Sequence, residues 1–107
     1  MAEYHVFGTV TYLQELAQWD KSERDLADKI PKKLVDNPYI GDQCGYPFLR
    51  EKRVREKRIY YLVYDDLKVV LLVATSGKKD QQLTIDHIKG NLDEFRRIAE
   101  EKFKQVS

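Results

Sequence analysis

Residues 50–64, REKRVREKRIYYLVY, decide how the chain is read. The first nine positions hold six basic residues, Arg50, Lys52, Arg53, Arg55, Lys57 and Arg58, against Glu51 and Glu56, a formal +4. The whole chain is +1, so the remainder carries −3 and the positive charge is local. A local basic run suits an anionic partner; a solvated edge strand guarded by lysines is the plain alternative. The stretch then turns without a break into aromatic and β-branched residues, which read as a strand entering a core. Within 58–64, Arg58, Tyr60, Leu62 and Tyr64 share one face, and Ile59, Tyr61 and Val63 share the other.

The surrounding sequence fits a strand meander. Residues 48–52, 53–56, 58–65 and 68–75 read as strands, with Asp65-Asp66 as the turn between the last two. Residues 69–74 are apolar on both faces, as in a central, covered strand. Beyond Ser76-Gly77 the period becomes helical. Ile85, Ile88, Leu92, Phe95, Ala99 and Phe103 recur at spacings of three and four through about residue 104, with a bend expected at Gly90-Asn91.

Upstream, residues 4–10 read as a first strand, with His5 partly buried. Thr9 or Thr11 caps a short helix whose apolar positions are Tyr12, Leu13, Leu16, Ala17 and Trp19. Ser22 is the expected N-cap of a second helix carrying Leu26, Ala27, Ile30, Leu34 and Val35, and Pro31 should kink or break it. The two helices are close enough in sequence to form an antiparallel hairpin. Residues 37–47, NPYIGDQCGYP, are a connecting loop with Tyr39 and Ile40 tucked beneath it. The fold class is therefore α+β, two-layer: an N-terminal strand, a helical hairpin, an antiparallel β-meander and a C-terminal helix, in one domain over residues 1–107.

Composition narrows the setting. With 42% hydrophobic and 35% charged residues the chain is ordinary for a folded globular domain rather than a disordered one. Cys44 is the only cysteine, which excludes an internal disulfide and fits a reducing, cytoplasmic setting. The first residues lack a signal-peptide pattern, and no apolar run approaches the roughly 20 residues of a membrane span. His5 and His87 are too isolated to suggest a metal pair, and the aspartates fall in turns. Cys44 lacks the neighbours of a catalytic nucleophile.

The element order, with a basic strand pair beneath a helical hairpin, resembles the RelE/ParE superfamily of type II toxins. The specific match is residues 53–61, RVREKRIYY. Two arginines five residues apart, Arg53 and Arg58, flank a turn and lead into a β-rich segment ending in tyrosine. Pro47-Phe48-Leu49 resembles the usual approach to that hairpin, and residues 65–73 the following turn and core strand. Gly77-Lys78-Lys79 before a helix is similar to the HigB-like branch. Two features depart from the pattern. The turn between the arginines holds Arg55-Glu56-Lys57 where Gly is usual, and residues 75–82, TSGKKDQQ, contain neither His nor Tyr.

The resemblance implies the toxin component of a toxin–antitoxin pair, a ribosome-dependent endoribonuclease cleaving mRNA with no cofactor and no metal. Its partners would be a cognate antitoxin and mRNA on the ribosome. Arg53, Arg58 and Lys52 are the expected phosphate-binding and transition-state residues, with Lys78 and Lys79 closing the other side. Arginine suits this role because its planar fork grips two oxygens and keeps its charge. Arg50, Arg55, Lys57 and Tyr60 are expected to bind RNA, with Tyr60, Tyr61 and Tyr64 as candidates for stacking a base. Arg58→Ala is expected to abolish cleavage with little effect on folding. The competing readings are a ParE-like inhibitor of a protein target that cuts no RNA, and a member that only binds RNA or its antitoxin.

Overall fold

The computed structural model describes residues 3–107. The chain opens with β1 (His5–Gly8). Thr9 caps α1 (Val10–Leu16), its Oγ1 accepting from the Tyr12 amide at 3.1 Å. Tyr12 and Trp19 are buried and Leu16 half-buried. Leu13 and Ala17 face solvent instead of the core, because the helix is short and only one narrow stripe meets the sheet.

The expected second helix is divided. Asp20, rather than Ser22, caps α2 (Lys21–Ala27) by accepting from the Glu23 amide, and Ser22 donates to Asp20 at 2.8 Å. Pro31 lies in the first turn of α3 (Ile30–Asp36), where its missing N–H costs nothing. The break expected at Pro31 therefore falls just before it. Leu26 is exposed, while Ala27, Ile30 and Leu34 are buried.

The loop 37–47 contains a two-residue strand that alternation could not reveal, β2 (Asp42–Gln43). It pairs with β3 (Leu49–Val54), which is followed by β4 (Lys57–Tyr64) and β5 (Val69–Ser76). The sheet order is β1-β5-β4-β3-β2, with β1 parallel to β5 and the other pairs antiparallel. The separate strand expected over 53–56 is instead the end of β3 and a tight turn. Arg53 pairs with Arg58, and Val54 with Lys57. Arg55 adopts a left-handed φ of 56° there, which explains why Gly is the easier residue at this tip. Arg55→Gly is expected to raise the melting temperature by roughly 2–4 °C, relief of strain outweighing the lost Arg55–Ser22 hydrogen bond. A lower melting temperature would contradict this.

The alternation expected for β4 is observed. Ile59, Tyr61 and Val63 pack with Val70 and Leu72 beneath α1–α3. Tyr60 and Leu62 pack with Leu71, Val73 and Ala74 on the opposite face. A bulge in β5, opposite Tyr60 and Tyr61, puts both Val73 and Ala74 on that second face. Ile88 is buried against it, with Ile85, Leu92, Phe95 and Ile98 half-buried. These come from α4 (Gln81–Lys89) and α5 (Leu92–Val106), which divide at Gly90-Asn91 as expected. The α+β element order thus holds. The two-layer description covers the α1–α3 side, and the C-terminal helices add cover on the opposite face.

Three polar links hold the hairpin end. Asp65 accepts from the Tyr4 and Tyr39 hydroxyls, each at 2.6 Å. Arg96 of α5 grips Asp66 with two hydrogen bonds at 3.1 and 2.7 Å. Tyr39 is exposed and Ile40 half-buried, so the loop covers less than expected, and His5 is exposed rather than partly buried. No helix among the described residues is long and apolar enough to cross a membrane.

Candidate functional site

Strand alternation divides the basic run between two faces. Leu49, Glu51 and Arg53 of β3 point to the α4 side, as do Arg58 and Tyr60 of β4. Arg50, Lys52 and Val54 point to the α1–α3 side, with Lys57. Lys52 is therefore not beside Arg53 and Arg58, contrary to the expected grouping. Lys57 pairs with Glu23 of α2 at 2.7 Å and lies over the Trp19 ring. Arg50 donates to the carbonyls of Pro47 and Tyr39 and lies over the Tyr39 ring. Arg55 donates to Ser22 at the hairpin tip. Much of the charge that looked free in sequence fastens β3 and β4 to the helices and loop.

On the α4 side a polar cluster interrupts the core. Arg58 is only 6% exposed. Its Nε lies 3.7 Å from Oε2 of Glu51, and its Nη1 donates to the Glu56 carbonyl at 3.5 Å. Gln81, in the first turn of α4, closes over it. With the carboxamide oxygen turned inward, as the donors require, Gln81 accepts from Nη2 at 3.3 Å and from Nε. Opposite Arg58 in the β4–β5 register is Ser76, whose Oγ shares a 2.9 Å hydrogen bond with the Tyr60 hydroxyl. Arg53, across the hairpin from Arg58, is exposed. Lys78 and Lys79 are exposed in the short turn from Ser76 into α4. The structure thus brings Arg53, Arg58 and the Lys78-Lys79 turn to one end of the sheet.

The tyrosines expected to stack a base are not available for it. Tyr60 and Tyr61 are fully buried, and Tyr64 is half-buried beneath Arg96. Burial raises the Tyr60 phenol, with a smaller opposing effect from the Ser76 hydrogen bond, so it stays protonated. The Cys44 thiol is pushed up to about 11, mainly by burial and then by Glu51 and Asp42, which leaves it a poor nucleophile. Among the described residues no three His, Cys, Asp or Glu side chains gather as metal ligands would.

Three members of the cluster were not singled out from sequence: Glu51, Ser76 and Gln81. Glu51 had counted only as charge offsetting the basic run. Its position two residues after Leu49 and two before Arg53 was the available signal that it shares their face. A cavity of about 830 Å³ lies elsewhere, between α1 and the C-terminal helices. Val10 and Leu83 rim it, 71% and 74% exposed, and His87 and Phe95 line it. It contains none of the expected site residues. Charge and buried polar pairing, rather than cavity size, mark the sheet end as the candidate site.

No family model matches the chain, and no curated protein matches it by sequence. Solved structures do match. The free E. coli RelE toxin, as a double mutant, superposes with a TM-score of 0.69 at 19% identity, covering 81% of this chain and 96% of that one. A chain of the intact E. coli RelBE toxin–antitoxin complex gives 0.62 at 20% identity, over 69% and 95%. The archaeal RelE–RelB complex from Pyrococcus horikoshii OT3 gives 0.62 at 19%, over 73% and 97%. The chain has the RelE fold.

Proposed function

We propose that this protein is the toxin of a toxin–antitoxin pair and that it cleaves mRNA on the ribosome. The fold alone does not carry an activity. The observation that supports one is the pairing of buried Arg58 with half-buried Glu51 at the basic end of the sheet. A charged pair in an otherwise apolar layer is costly, and replacing it with apolar residues commonly stabilises a protein. Its position beside exposed Arg53, Lys78 and Lys79 makes chemistry on an anion the simplest reason for keeping it.

In this reading Arg53, Lys78 and Lys79 take the RNA phosphates from the open side, and Arg58 supplies fixed charge beneath them. Cleavage proceeds by attack of a ribose 2′-hydroxyl on the adjacent phosphate, so positioning and charge neutralisation are the main requirements. Arg55, at the exposed hairpin tip, extends the RNA contact. Lys52, Lys57 and Arg50 contribute through structure and overall field rather than by direct grip. A cognate antitoxin is the expected protein partner, since the E. coli neighbour is a RelBE toxin–antitoxin complex and the Pyrococcus neighbour a RelE–RelB complex.

The test is induction in cells, with the 5′ ends of ribosome-bound transcripts mapped before and after. New ends inside coding regions, with growth arrest relieved by the adjacent antitoxin gene, are expected. Growth arrest with unchanged transcript ends would replace this reading with the inhibitor of a protein target. Soluble accumulation with neither effect would remove the toxin reading.

A further inference from the structure

Cleavage by a 2′-hydroxyl needs a group to take its proton, and residues 75–82 contain neither His nor Tyr. Both histidines, Lys52 and Tyr60 are placed wrongly. His87 lines the groove between α1 and the C-terminal helices, and His5 is on the opposite edge strand. Lys52 faces the α1–α3 side. The Tyr60 hydroxyl is buried and bonded to Ser76.

We propose, resting on the nuclease reading above, that Glu51 is the general base, held in place by Arg58. Glu51 shares a face with Arg53 and Arg58 and lies across from Tyr60 in the β3–β4 register. Its Oε2 is buried and has no hydrogen-bond partner among the described residues, although it lies 3.7 Å from the Arg58 Nε. A buried carboxylate oxygen without a hydrogen bond is rare in a finished fold and calls for a reason. The Glu51 side chain is nevertheless 21% exposed, against 7% for Arg58. The carboxylate is therefore anchored from within by a cation while its side chain still reaches the surface where Arg53 stands. Arg58 also offsets the repulsion between a carboxylate and an incoming phosphate.

The step balances without an added reagent. Glu51 takes the proton from the 2′-hydroxyl as the 2′-oxygen forms its bond to phosphorus. The bond from phosphorus to the 5′-oxygen breaks, and that oxygen takes a proton from solvent water. The products are a 2′,3′-cyclic phosphate and a 5′-hydroxyl, and Glu51 returns its proton to water. Arg58 positions Glu51 and adds fixed charge from beneath, while Arg53 and the two lysines bear on the phosphate from the open side.

The test is single-turnover cleavage of a ribosome-bound message by the full-length protein. Glu51→Gln keeps the shape and removes the basicity. It is expected to lower the cleavage rate constant about 100-fold or more, with half-saturation changed less than about threefold. Glu51→Ala is expected to regain cleavage as formate is added, because a small carboxylate can enter the vacated space. A Glu51→Gln protein that cleaves within about threefold of wild type would overturn the assignment, whatever the wild-type rate. So would a folded Glu51→Ala protein that formate does not restore. Failure of the wild-type protein to cut any message would overturn the nuclease reading itself, and the assignment with it.

Discussion

Arg58→Ala is expected to abolish cleavage and also to lower the melting temperature by roughly 10 °C. The second effect departs from the sequence expectation that folding would be little changed. Arg58 is 6% exposed and sits between Glu51, the Glu56 carbonyl and Gln81. Removing it leaves the Glu51 carboxylate without its cation in a mostly dry site. Breaking a fully buried pair costs about 3–5 kcal/mol. The 3.7 Å separation and the partial exposure of Glu51 reduce that to about 2 kcal/mol. The double variant Glu51→Gln/Arg58→Ala should recover part of the loss, because no charge is then left unpaired. Thermal melts of the three variants check this. An Arg58→Ala protein that melts with the wild type would show that Arg58 is not held as the structure has it.

Gly41→Ala is expected to be more damaging, costing about 3 kcal/mol or leaving the protein largely insoluble. A Cβ on Gly41 would collide with the backbone carbonyl of Glu51 and lie 2.8 Å from the Tyr61 hydroxyl. That hydroxyl accepts from the Gly41 amide at 3.1 Å, so the loop, β3 and the central strand meet at this point. Neither obstacle can swing away: one is backbone of a paired strand, and the other is the tip of a fully buried side chain. Because the displaced carbonyl belongs to Glu51, any soluble fraction should also cleave poorly. Denaturant melts and cleavage rates of that fraction test both effects. A wild-type melt would show that the loop does not approach β3 so closely.

The faces of β4 were legible because Ile59, Tyr61 and Val63 alternate with Tyr60, Leu62 and Tyr64, and a period of two has one meaning in a strand. The bend at Gly90-Asn91 was legible for a similar local reason. The cap of α2 was not, because Asp20 and Ser22 offer the same chemistry two residues apart and only the chain path chooses. Nor was β2, whose two residues pair with Arg50 and Glu51 without any pattern of their own.

The site was legible as a charge run but not as a geometry. Alternation within each strand separates Lys52 and Lys57 from Arg53 and Arg58 only once the run is folded at the Arg55-Glu56 turn, which brings Arg53 opposite Arg58. The burial of Arg58 depends on Gln81, 23 positions later in the chain, and no local pattern announces such a contact. The base-stacking role imagined for Tyr60 failed for the same reason: the C-terminal helices cover its face.

The activity proposed for the basic end of this sheet is RNA cleavage. The most direct measurement is the chemistry of the ends produced when purified protein meets a message engaged on ribosomes. Fragments ending in a 2′,3′-cyclic phosphate, matched by 5′-hydroxyl ends, are expected, and their loss in the Arg53→Ala protein, whose substituted side chain is exposed. An intact message in the presence of folded protein would contradict it, as would equal cleavage by Arg53→Ala.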